Sequence, residues 1–328
     1  MSENILSVRN LTVKYISREI GACHAVNDVS FDVRKGETVG LVGETGAGKT
    51  TIALSIMRLL QTPPARVMSG EILLDGEDLL KMPDSHMRSI RGDRISMIFQ
   101  DPMSALNPID KVGDQISEMV KLHLNLNNAQ SAGKAAEMLE MVGIPSSRFY
   151  DYPHQFSGGM KQRVIIAIAL ACKPELLLAD EPTTALDVTI QAQVLNMMKE
   201  LKNELGTSMV LITHDLGVVA ETCDRVAVVY AGEIVEIGMA DVVFEKKSHP
   251  YTMGLFNSLP DITGKRKRLI PIEGLMPDPT ALPKGCKFSP RCRLCDEACL
   301  EGPVELRLES GTHFVRCLKA NVDREKVD

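Results

Sequence analysis

The sequence predicts an α/β fold whose main sheet is largely parallel, with an antiparallel β subdomain, an inserted helical subdomain and a small cysteine-rich C-terminal extension. Two continuous apolar runs, residues 176–179 and 209–213, are typical of strands buried on both faces of a parallel sheet. Helical spacing over residues 190–205 lies between them. The order strand, helix, strand predicts a β-α-β crossover and so the α/β class.

Further strands are predicted on either side of this crossover. Apolar and polar residues alternate over residues 5–14 and 25–33, which suits strands of an antiparallel edge sheet. Residues 226–230 and 233–237 predict a closing hairpin around a short turn. The remaining strands are predicted at residues 38–42, 70–78 (a strand and a tight turn) and 95–99.

Residues 101–157 differ in residue pattern from the strand-rich segments on either side. They contain few β-branched runs, and apolar residues recur at helical spacing. We therefore expect a helical subdomain there, inserted into the α/β core. The predicted parts are the core with its antiparallel β subdomain over 1–100 and 158–240, the helical subdomain over 101–157, and the C-terminal extension over 241–328.

Composition excludes several classes of protein. The chain is 44% hydrophobic and 24% charged, which is ordinary for a globular protein. A formal net charge of −6 provides no basic footprint, so nucleic-acid binding is not favoured. The longest strongly apolar run, residues 164–172, is shorter than the ~20 residues that span a bilayer, and the N-terminus has no secretory apolar region. We expect a cytoplasmic protein that reaches a membrane only through a partner.

The strongest motif is Gly-Glu-Thr-Gly-Ala-Gly-Lys-Thr at residues 43–50, which satisfies G-x-x-x-x-G-K-S/T. It follows the predicted strand 38–42 and precedes a helix predicted to start at Thr51. In such a loop the glycines let backbone N–H groups approach phosphate, and the helix dipole favours an anion. Lys49 would meet the β- and γ-oxygens, and Thr50 can ligate Mg2+. The core is therefore predicted to be a P-loop NTPase.

A second motif is a pair of carboxylates after a buried strand. The apolar run at 176–179 ends in Asp180 and Glu181. Downstream of a phosphate loop, Asp180 would hold Mg2+, directly or through water, and Glu181 would polarise the attacking water as general base. The pair predicts nucleotide hydrolysis.

A third motif is Ser157-Gly158-Gly159, a turn that opens an apolar helix. Ser157 can cap this helix, and the glycine N–H groups can present a second anion-binding helix terminus. A single phosphate loop does not require a second anion site.

Together, these motifs resemble the nucleotide-binding subunit of ABC transporters, in the order typical of that family. The resemblance assigns Tyr15 to the aromatic ring that stacks on adenine, Gln100 to the Q-loop and His214 to the switch histidine. It also matches Ser157-Gly158-Gly159 with the signature, Asp180 and Glu181 with the Walker B pair, and residues 185–187 with the D-loop.

The residues implicated by the resemblance fall into three groups. Those expected to contact ATP are Tyr15, Gly43, Glu44, Thr45, Gly46, Ala47, Gly48, Lys49, Thr50, Thr51, Ser157, Gly158 and Gly159. Those expected to bind Mg2+ are Thr50, Gln100 and Asp180. Those expected to act in catalysis are Glu181, His214 and Gln100.

The signature departs from the family's commoner Leu-Ser-Gly-Gly-Gln at Phe156 and Met160. Its Ser-Gly-Gly core is intact, so we expect the phosphate contact to survive. In this family the signature of one subunit contacts the γ-phosphate bound by the other. The resemblance thus implies a head-to-tail dimer in which Lys49, Ser157 and His214 converge on the γ-phosphate and hydrolysis lets the halves part.

Five of the eight cysteines lie between residues 286 and 317. Such a density in a cytosolic protein favours metal binding over disulfides. Cys292-x-x-Cys295 has the spacing of a zinc pair. Because four thiolates suit zinc and iron–sulfur clusters alike, spacing leaves both metals open.

The cysteine segment and the preceding residues 249–255, His-Pro-Tyr-Thr-Met-Gly-Leu, resemble the C-terminal extension of the dipeptide, oligopeptide and nickel importer ATPases. Members of that group with four matching cysteines are associated with a 4Fe-4S cluster. The residues that match those four by position are Cys286, Cys292, Cys299 and Cys317, with Cys295 as an extra thiol. The resemblance implies a 4Fe-4S cluster; the alternatives are Zn2+ and free thiols.

A transporter role requires separate integral-membrane permease subunits, and an importer also needs an extracytoplasmic substrate-binding protein. We expect the chain to lie at the cytoplasmic face of the cell membrane, held there through the permease. The helical subdomain over 101–157 should carry the docking surface, with Gln100 linking it to the phosphate site. No nucleic-acid partner is expected.

The resemblance implies an ATPase that powers the import of di- and oligopeptides. A nickel-complex importer is an alternative, because the binding protein and the permease select the cargo. Alternatives of other classes are a soluble ABC ATPase acting on ribosomes or DNA, and a redox-sensing protein built around the cysteines. The second ATPase subunit is either an identical chain or a related one.

Overall fold

The computed structural model describes residues 3–19, 21–101, 105–184, 186–258 and 271–320. The chain divides into two compact units. Unit 1 comprises residues 1–7, 32–38 and 73–212. Unit 2 comprises residues 8–31, 39–72 and 213–328.

Strands and helices alternate along the chain. The strands are β1 (Asn4–Ser17), β2 (Gly21–Arg34), β3 (Thr38–Val42), β4 (Ala65–Leu74), β5 (Glu77–Asp78), β6 (Ile95–Ile98), β7 (Leu176–Asp180), β8 (Ser208–Thr213), β9 (Arg225–Tyr230), β10 (Glu233–Met239), β11 (Arg307–Ser310) and β12 (His313–Val315). The α-helices are α1 (Lys49–Ile56), α2 (Asp84–Ile90), α3 (Val112–Leu124), α4 (Asn128–Met141), α5 (Gly158–Leu170), α6 (Val188–Leu205), α7 (Leu216–Thr222), α8 (Ala240–Lys246), α9 (Pro250–Asn257) and α10 (Ala298–Glu301). Short 3-10 helices lie at Ser146–Tyr150, Pro153–Gln155 and Ser289–Arg291.

Unit 1 contains a parallel sheet in which β7 pairs with β6 on one side and β8 on the other. Leu176 faces Ile95 in one ladder and Ser208 in the other. Every residue of β7 is buried, as expected for a strand covered on both faces. Helix α6 joins β7 to β8, so the predicted β-α-β crossover is confirmed.

Helices α3 and α4 lie within the segment predicted to be a helical subdomain. α3 buries Val112, Ile116 and Val120, which share one helix face at four-residue spacing. α4 begins with a capping box, in which the Asn127 side chain accepts from the Gln130 N–H and the Gln130 side chain accepts from the Asn127 N–H. The boundaries of the helical subdomain, like the rest of the predicted domain division, stay predictions.

Unit 2 contains strands in the order β11-β12-β10-β9-β3. β3 runs parallel to β9, with Gly40 beside Val226. β9 and β10 form the predicted antiparallel hairpin, and β12 and β11 continue the sheet in antiparallel fashion. β11 and β12, which were not predicted from the sequence, attach the C-terminal extension to β10.

A separate sheet has the strand order β2-β1-β4-β5, and β4 pairs with β5 antiparallel. β1 and β2 are each 14 residues long and exceed their predicted bounds. The fold class, with parallel and antiparallel sheets, is confirmed. Among the described residues, no helix combines the length and apolar character needed to cross a bilayer.

Candidate nucleotide site

The phosphate loop follows β3 directly and requires glycine at two positions. Gly43 has φ of +154°, and a Cβ there would lie 2.1 Å from the carbonyl oxygen of Val229. Gly48 has φ of +103°, and a Cβ there would lie 2.3 Å from the carbonyl oxygen of Ala25. Glycine alone suits both the conformation and the close approach. The loop is therefore wrapped tightly against neighbouring backbone of unit 2.

Lys49 opens α1 and directs its ammonium group back across the loop. Nζ donates to the carbonyl oxygen of Gly43 at 2.7 Å and to that of Glu44 at 3.0 Å. Lys49 is only 6% exposed. A helix N-terminus and a cation thus meet at a glycine-rich loop, which is the combination that binds phosphate. The helix begins earlier than the predicted start at Thr51.

Tyr15 lies in β1, two residues before the strand ends, and is half-buried. Its hydroxyl lies 3.3 Å from Oγ1 of Thr51 in the first turn of α1. This contact joins the aromatic residue to the helix that follows the phosphate loop, within unit 2. The predicted stacking of its ring on adenine stays a proposal.

The two carboxylates lie in unit 1, at the end of β7. Asp180 is 2% exposed and is the last residue of the strand. Glu181 follows with φ of +46°, an uncommon conformation for a residue with a side chain, and its N–H donates to the carbonyl oxygen of Ile212 at 2.8 Å. Such backbone conformations cost about 1–3 kcal/mol and concentrate at functional sites.

Two side chains of unit 1 hold the Glu181 carboxylate. Gln100 Nε2 and Thr184 Oγ1 each donate to Oε2 of Glu181, both at 2.9 Å. The structure thus brings together Gln100 and Glu181, two of the predicted catalytic residues. Sequence analysis missed Thr184. A hydroxyl three residues after a carboxylate, in the turn that leaves a buried strand, is the pattern that could have identified it.

Ser157 caps α5, since its hydroxyl accepts from the Met160 N–H at 3.4 Å. Ser157 and Gly158 are exposed. A Cβ at Gly159 would lie 2.6 Å from Cγ2 of Ile190, so this glycine allows α5 to lie close to α6. The predicted cap is therefore present, and the N-terminus of α5 is exposed in the described chain.

Both departures from the commoner signature contact the same side chain. The Arg148 guanidinium lies over the Phe156 ring, 4.4 Å from its centroid. Nη1 of Arg148 donates to the sulfur of Met160 at 3.8 Å. Phe156 is buried at 5% exposure. The two substitutions therefore form one packing arrangement with Arg148 behind the Ser-Gly-Gly turn.

His214 follows β8 in unit 2 and is exposed. The next residue, Asp215, caps α7 through Oδ1, which accepts from the N–H groups of Gly217 and Val218. In the predicted D-loop, Ala185 lies outside the described residues, while Asp187 caps α6 in unit 1.

A pocket in the C-terminal extension is lined by all five clustered cysteines: Cys286, Cys292, Cys295, Cys299 and Cys317. Burial, together with the neighbouring thiols, raises the pKa of Cys292 to about 11 and that of Cys317 to about 12. Desolvated thiols this close together repel one another once ionised, which favours the protonated forms.

The cysteines show part of what a metal site needs. The Lys319 N–H donates to the sulfur of Cys317 at 3.2 Å. Hydrogen bonds to sulfur are one means by which proteins tune thiolate-bound metal centres. Among the described residues, however, no group of three or more His, Cys, Asp or Glu side chains is arranged to hold a metal ion. The donor chemistry therefore fits a thiolate-bound group, but the described residues do not form a finished metal site.

Two comparisons define the class of protein. A family model described as "ABC transporter" matches residues 26–184. Among solved structures, the dimeric post-hydrolysis state of the ATP-binding cassette MJ0796, bound to ADP and Pi, aligns with a TM-score of 0.64 and 28% identity. The alignment covers 72% of this chain and 98% of the MJ0796 chain. The fold and the phosphate loop therefore belong to an ATP-hydrolysing cassette of the ABC class.

The C-terminal region and the relatives with similar sequences identify a narrower family within the ABC class. Residues 235–299 match the model "Oligopeptide/dipeptide transporter, C-terminal region". The chain is 48% identical over 317 residues to the dipeptide transport ATP-binding protein DppD of Bacillus subtilis, covering 96% of this chain and 94% of that protein. It is 47% identical over 315 residues to the oligopeptide transport ATP-binding protein AppD of Bacillus subtilis, covering 95% and 96%. The chain belongs to the ATP-binding subunits of oligopeptide and dipeptide ABC transporters.

Proposed function

We infer that this ATPase powers the import of di- and oligopeptides through a separate membrane permease. The observation that carries this inference is the peptide-transporter C-terminal region at residues 235–299, joined to an ABC cassette in one chain. Relatives with peptide-transport names over nearly the whole length add support. A nickel-complex importer and a soluble ABC ATPase acting on ribosomes or DNA are less well supported.

In the proposed reaction, the phosphate loop binds MgATP. The loop N–H groups and Lys49 would bind the β- and γ-phosphates, and Thr50, Gln100 and Asp180 would hold Mg2+. Mg2+, when bound, would supply positive charge beside the phosphoryl oxygens, and the Lys49 ammonium would neutralise charge that builds on them during transfer.

Glu181 is the proposed general base for the attacking water. Its carboxylate accepts from Gln100 and Thr184, and both bonds are made by one oxygen, Oε2. These two bonds fix the orientation of the carboxylate, which is proposed to accept a proton from the attacking water. His214 is proposed to contact the γ-phosphate.

A second copy or a related subunit is proposed to complete the site. Ser157 and Gly158 form an exposed helix N-terminus that can bind an anion supplied from outside the chain. The neighbouring cassette MJ0796 is described as a dimer. We therefore propose that the signature of one subunit closes over the ATP bound by the other, and that hydrolysis reopens the dimer.

Substituting Glu181→Gln tests this proposal. The glutamine cannot accept the proton, so turnover should fall by about 100-fold or more while MgATP remains bound. The variant with MgATP should elute from a sizing column as a dimer. Glu204→Gln, an exposed carboxylate on α6, is the matched control. A monomeric Glu181→Gln chain that hydrolyses ATP at the wild-type rate would contradict the proposal.

Peptide import and its partners need a membrane experiment. We propose that the chain is held at the cytoplasmic face of the membrane through the permease, with the helical subdomain providing the docking surface and a substrate-binding protein delivering the peptide. Co-purification with permease subunits, and ATP-dependent uptake of labelled dipeptides and oligopeptides into vesicles, are the expected results. Co-sedimentation with ribosomes or DNA, or uptake of nickel complexes alone, would favour an alternative.

The cysteine pocket is proposed to hold a 4Fe-4S cluster, with Zn2+ as the alternative. Cys286, Cys292, Cys299 and Cys317 would be the ligands, and Cys295 lies in the same pocket as a fifth thiol. Bound there, a cluster would cross-link distant parts of the extension. Anaerobic purification should produce a coloured protein containing iron and sulfide. A colourless protein containing zinc would select the alternative, and one containing neither metal would leave free thiols.

A further inference from the structure

The C-terminal extension makes direct polar contacts with the phosphate loop at Glu44. The Glu44 N–H donates to the Tyr251 hydroxyl at 2.9 Å. The Glu44 carboxylate accepts from Nη1 of Arg291, at 3.1 Å through Oε1 and at 3.0 Å through Oε2. Its carbonyl oxygen accepts from Lys49 Nζ at 3.0 Å. Two residues of the extension therefore hold the same loop residue whose carbonyl contacts the phosphate-loop lysine.

The ion pair between Arg291 and Glu44 differs from an ordinary surface pair. The Arg291 side chain is 5% exposed and that of Glu44 is 30% exposed. The other nitrogens of the guanidinium are also engaged, with Nε donating to the Glu273 carbonyl at 3.0 Å and Nη2 to the Ile272 carbonyl at 3.3 Å. A largely buried, fixed guanidinium loses little entropy on pairing, and its charge-assisted bonds are weakly screened. This pair can therefore constrain the loop, which an exposed pair would do only weakly.

Tyr251 is held just as firmly. It is fully buried, and its ring lies 4.5 Å from that of Tyr230 and 5.5 Å from that of Phe288, between centroids. Its N–H donates to Nδ1 of His249, which caps α9. Because ring and backbone are both fixed, the hydroxyl stays at one position beneath the loop.

The loop needs such external support because its glycines are conformationally free. Gly43, Gly46 and Gly48 all have positive φ, so the loop's own sequence imposes little rigidity. The extension also reaches the loop tip, where a Cβ on Gly46 would lie 3.2 Å from the terminal methyl of Met276. Phosphate binding through backbone N–H groups requires those groups to point in set directions before the ligand arrives.

We propose that Tyr251 and Arg291 are positioning residues that hold the phosphate loop, through Glu44, in the shape that binds MgATP. The extension thereby sets the nucleotide affinity of the cassette. This inference rests on the proposed assignment of residues 43–50 to ATP binding.

The test uses the full chain with Tyr251→Phe and Arg291→Lys. The first keeps the ring and removes the hydroxyl. The second keeps the charge and removes Nε and Nη2, which fix the guanidinium on the carbonyl oxygens of Glu273 and Ile272. Each should raise the KM and the equilibrium Kd for MgATP by about fivefold to tenfold, with kcat within about twofold, because the loop contacts are made in ground and transition states alike. Loss of stability alone would lower the active fraction without changing KM.

Matched controls and a third variant distinguish the outcomes. Arg293→Lys alters a half-exposed arginine two residues away and should leave KM unchanged. In a Glu44→Gln background, Arg291→Lys should add little, because the partner carboxylate is already gone. If wild type binds MgATP and both variants match it, or if the Glu44 and Arg291 effects are fully additive, the inference is wrong. If wild type itself fails to bind or hydrolyse MgATP, the proposed function fails instead.

Discussion

The molecule has two glycine-rich helix N-termini of similar chemistry and opposite surroundings. At α1, in unit 2, Lys49 is buried, and the extension holds Glu44 through Tyr251 and Arg291. At α5, in unit 1, Ser157 and Gly158 are exposed, and Ser157 bonds to its own helix. The first is enclosed by its own chain; the second presents its donors outward. Under the proposed function, a phosphate bound at α1 would be held within one chain, whereas the anion at α5 would be supplied by another subunit.

The largest expected effect follows from removing the cation of the enclosed terminus. Lys49→Ala should reduce kcat/KM for ATP by about 1000-fold, because a preorganised charge aimed at the transferred phosphoryl group is lost. Binding of MgATP by the isolated chain should weaken as well. Steady-state hydrolysis and equilibrium binding measure both. Lys199→Ala, an exposed lysine on α6, is the control. Turnover within about twofold of wild type would mean that the loop is not the phosphate site.

The exposed terminus should behave differently. Ser157→Arg places a bulky side chain where another subunit is proposed to dock and removes the cap of α5. Hydrolysis should fall by about 100-fold, the cost typical of losing a donor to the reacting group. The isolated chain should still bind MgATP with unchanged affinity, because the α1 terminus is intact.

A second helix-cap substitution distinguishes the loss of subunit docking from the loss of stability that Ser157→Arg could also cause. Asn127 caps α4 with its side chain, as Ser157 caps α5, so Asn127→Arg removes a comparable cap elsewhere. It should lower the melting temperature about as much while hydrolysis persists. If Ser157→Arg weakens MgATP binding as severely as Lys49→Ala, the two termini do not divide the work as proposed.

Sequence alone predicted the phosphate loop at the α1 terminus, but it did not predict the contacts from the extension that hold this loop. The spacing of residues 43–50 and the apolar runs of β7 and β8 predicted the loop and the parallel strands, because local patterns encode both. The bonds from Tyr251 and Arg291 to Glu44 could not be predicted, since they join residues about 200 or more positions apart and depend on how the extension packs. β11 and β12 were missed for a related reason: their pairing with β10 relies on tertiary contact more than on intrinsic propensity.

The extension that supports the enclosed terminus should weaken first in acid. Buried Glu236 accepts from the N–H groups of Ser248 and His249 and from His313 Nε2. Burial lowers the pKa of His249 from 6.5 to about 4. Below pH 6.5, His249 is protonated in the unfolded chain but stays neutral in the folded chain until the pH approaches 4. The free energy of unfolding should therefore fall by about 2 kcal/mol between pH 7 and pH 5. Burial raises the pKa of Glu236, but its hydrogen bonds lower it more, so the pKa lies below its ordinary value. Protonating this carboxylate in acid removes the stability that it contributes, which extends the fall in stability to lower pH.

Denaturant unfolding at pH 7, 6 and 5 measures this loss. His249→Asn keeps a side-chain acceptor for the start of α9 and removes the titrating ring, so its stability should depend less on pH in this range. His154→Asn, an exposed histidine, should retain the wild-type dependence. Equal slopes for wild type and His249→Asn would show that another group causes the loss.

The smallest expected effect concerns Thr184, which is proposed to help orient Glu181, the general base in unit 1. Thr184→Val removes the hydroxyl that donates to Oε2 of Glu181 at 2.9 Å and leaves Gln100 in place. Losing one hydrogen bond to a charged group, at an exposed position, should lower kcat by about fivefold with KM unchanged. Thr184→Ser keeps the hydroxyl and should restore the rate. If serine and valine act alike, shape rather than the bond to Glu181 matters at this position, and Thr184 does not orient the carboxylate.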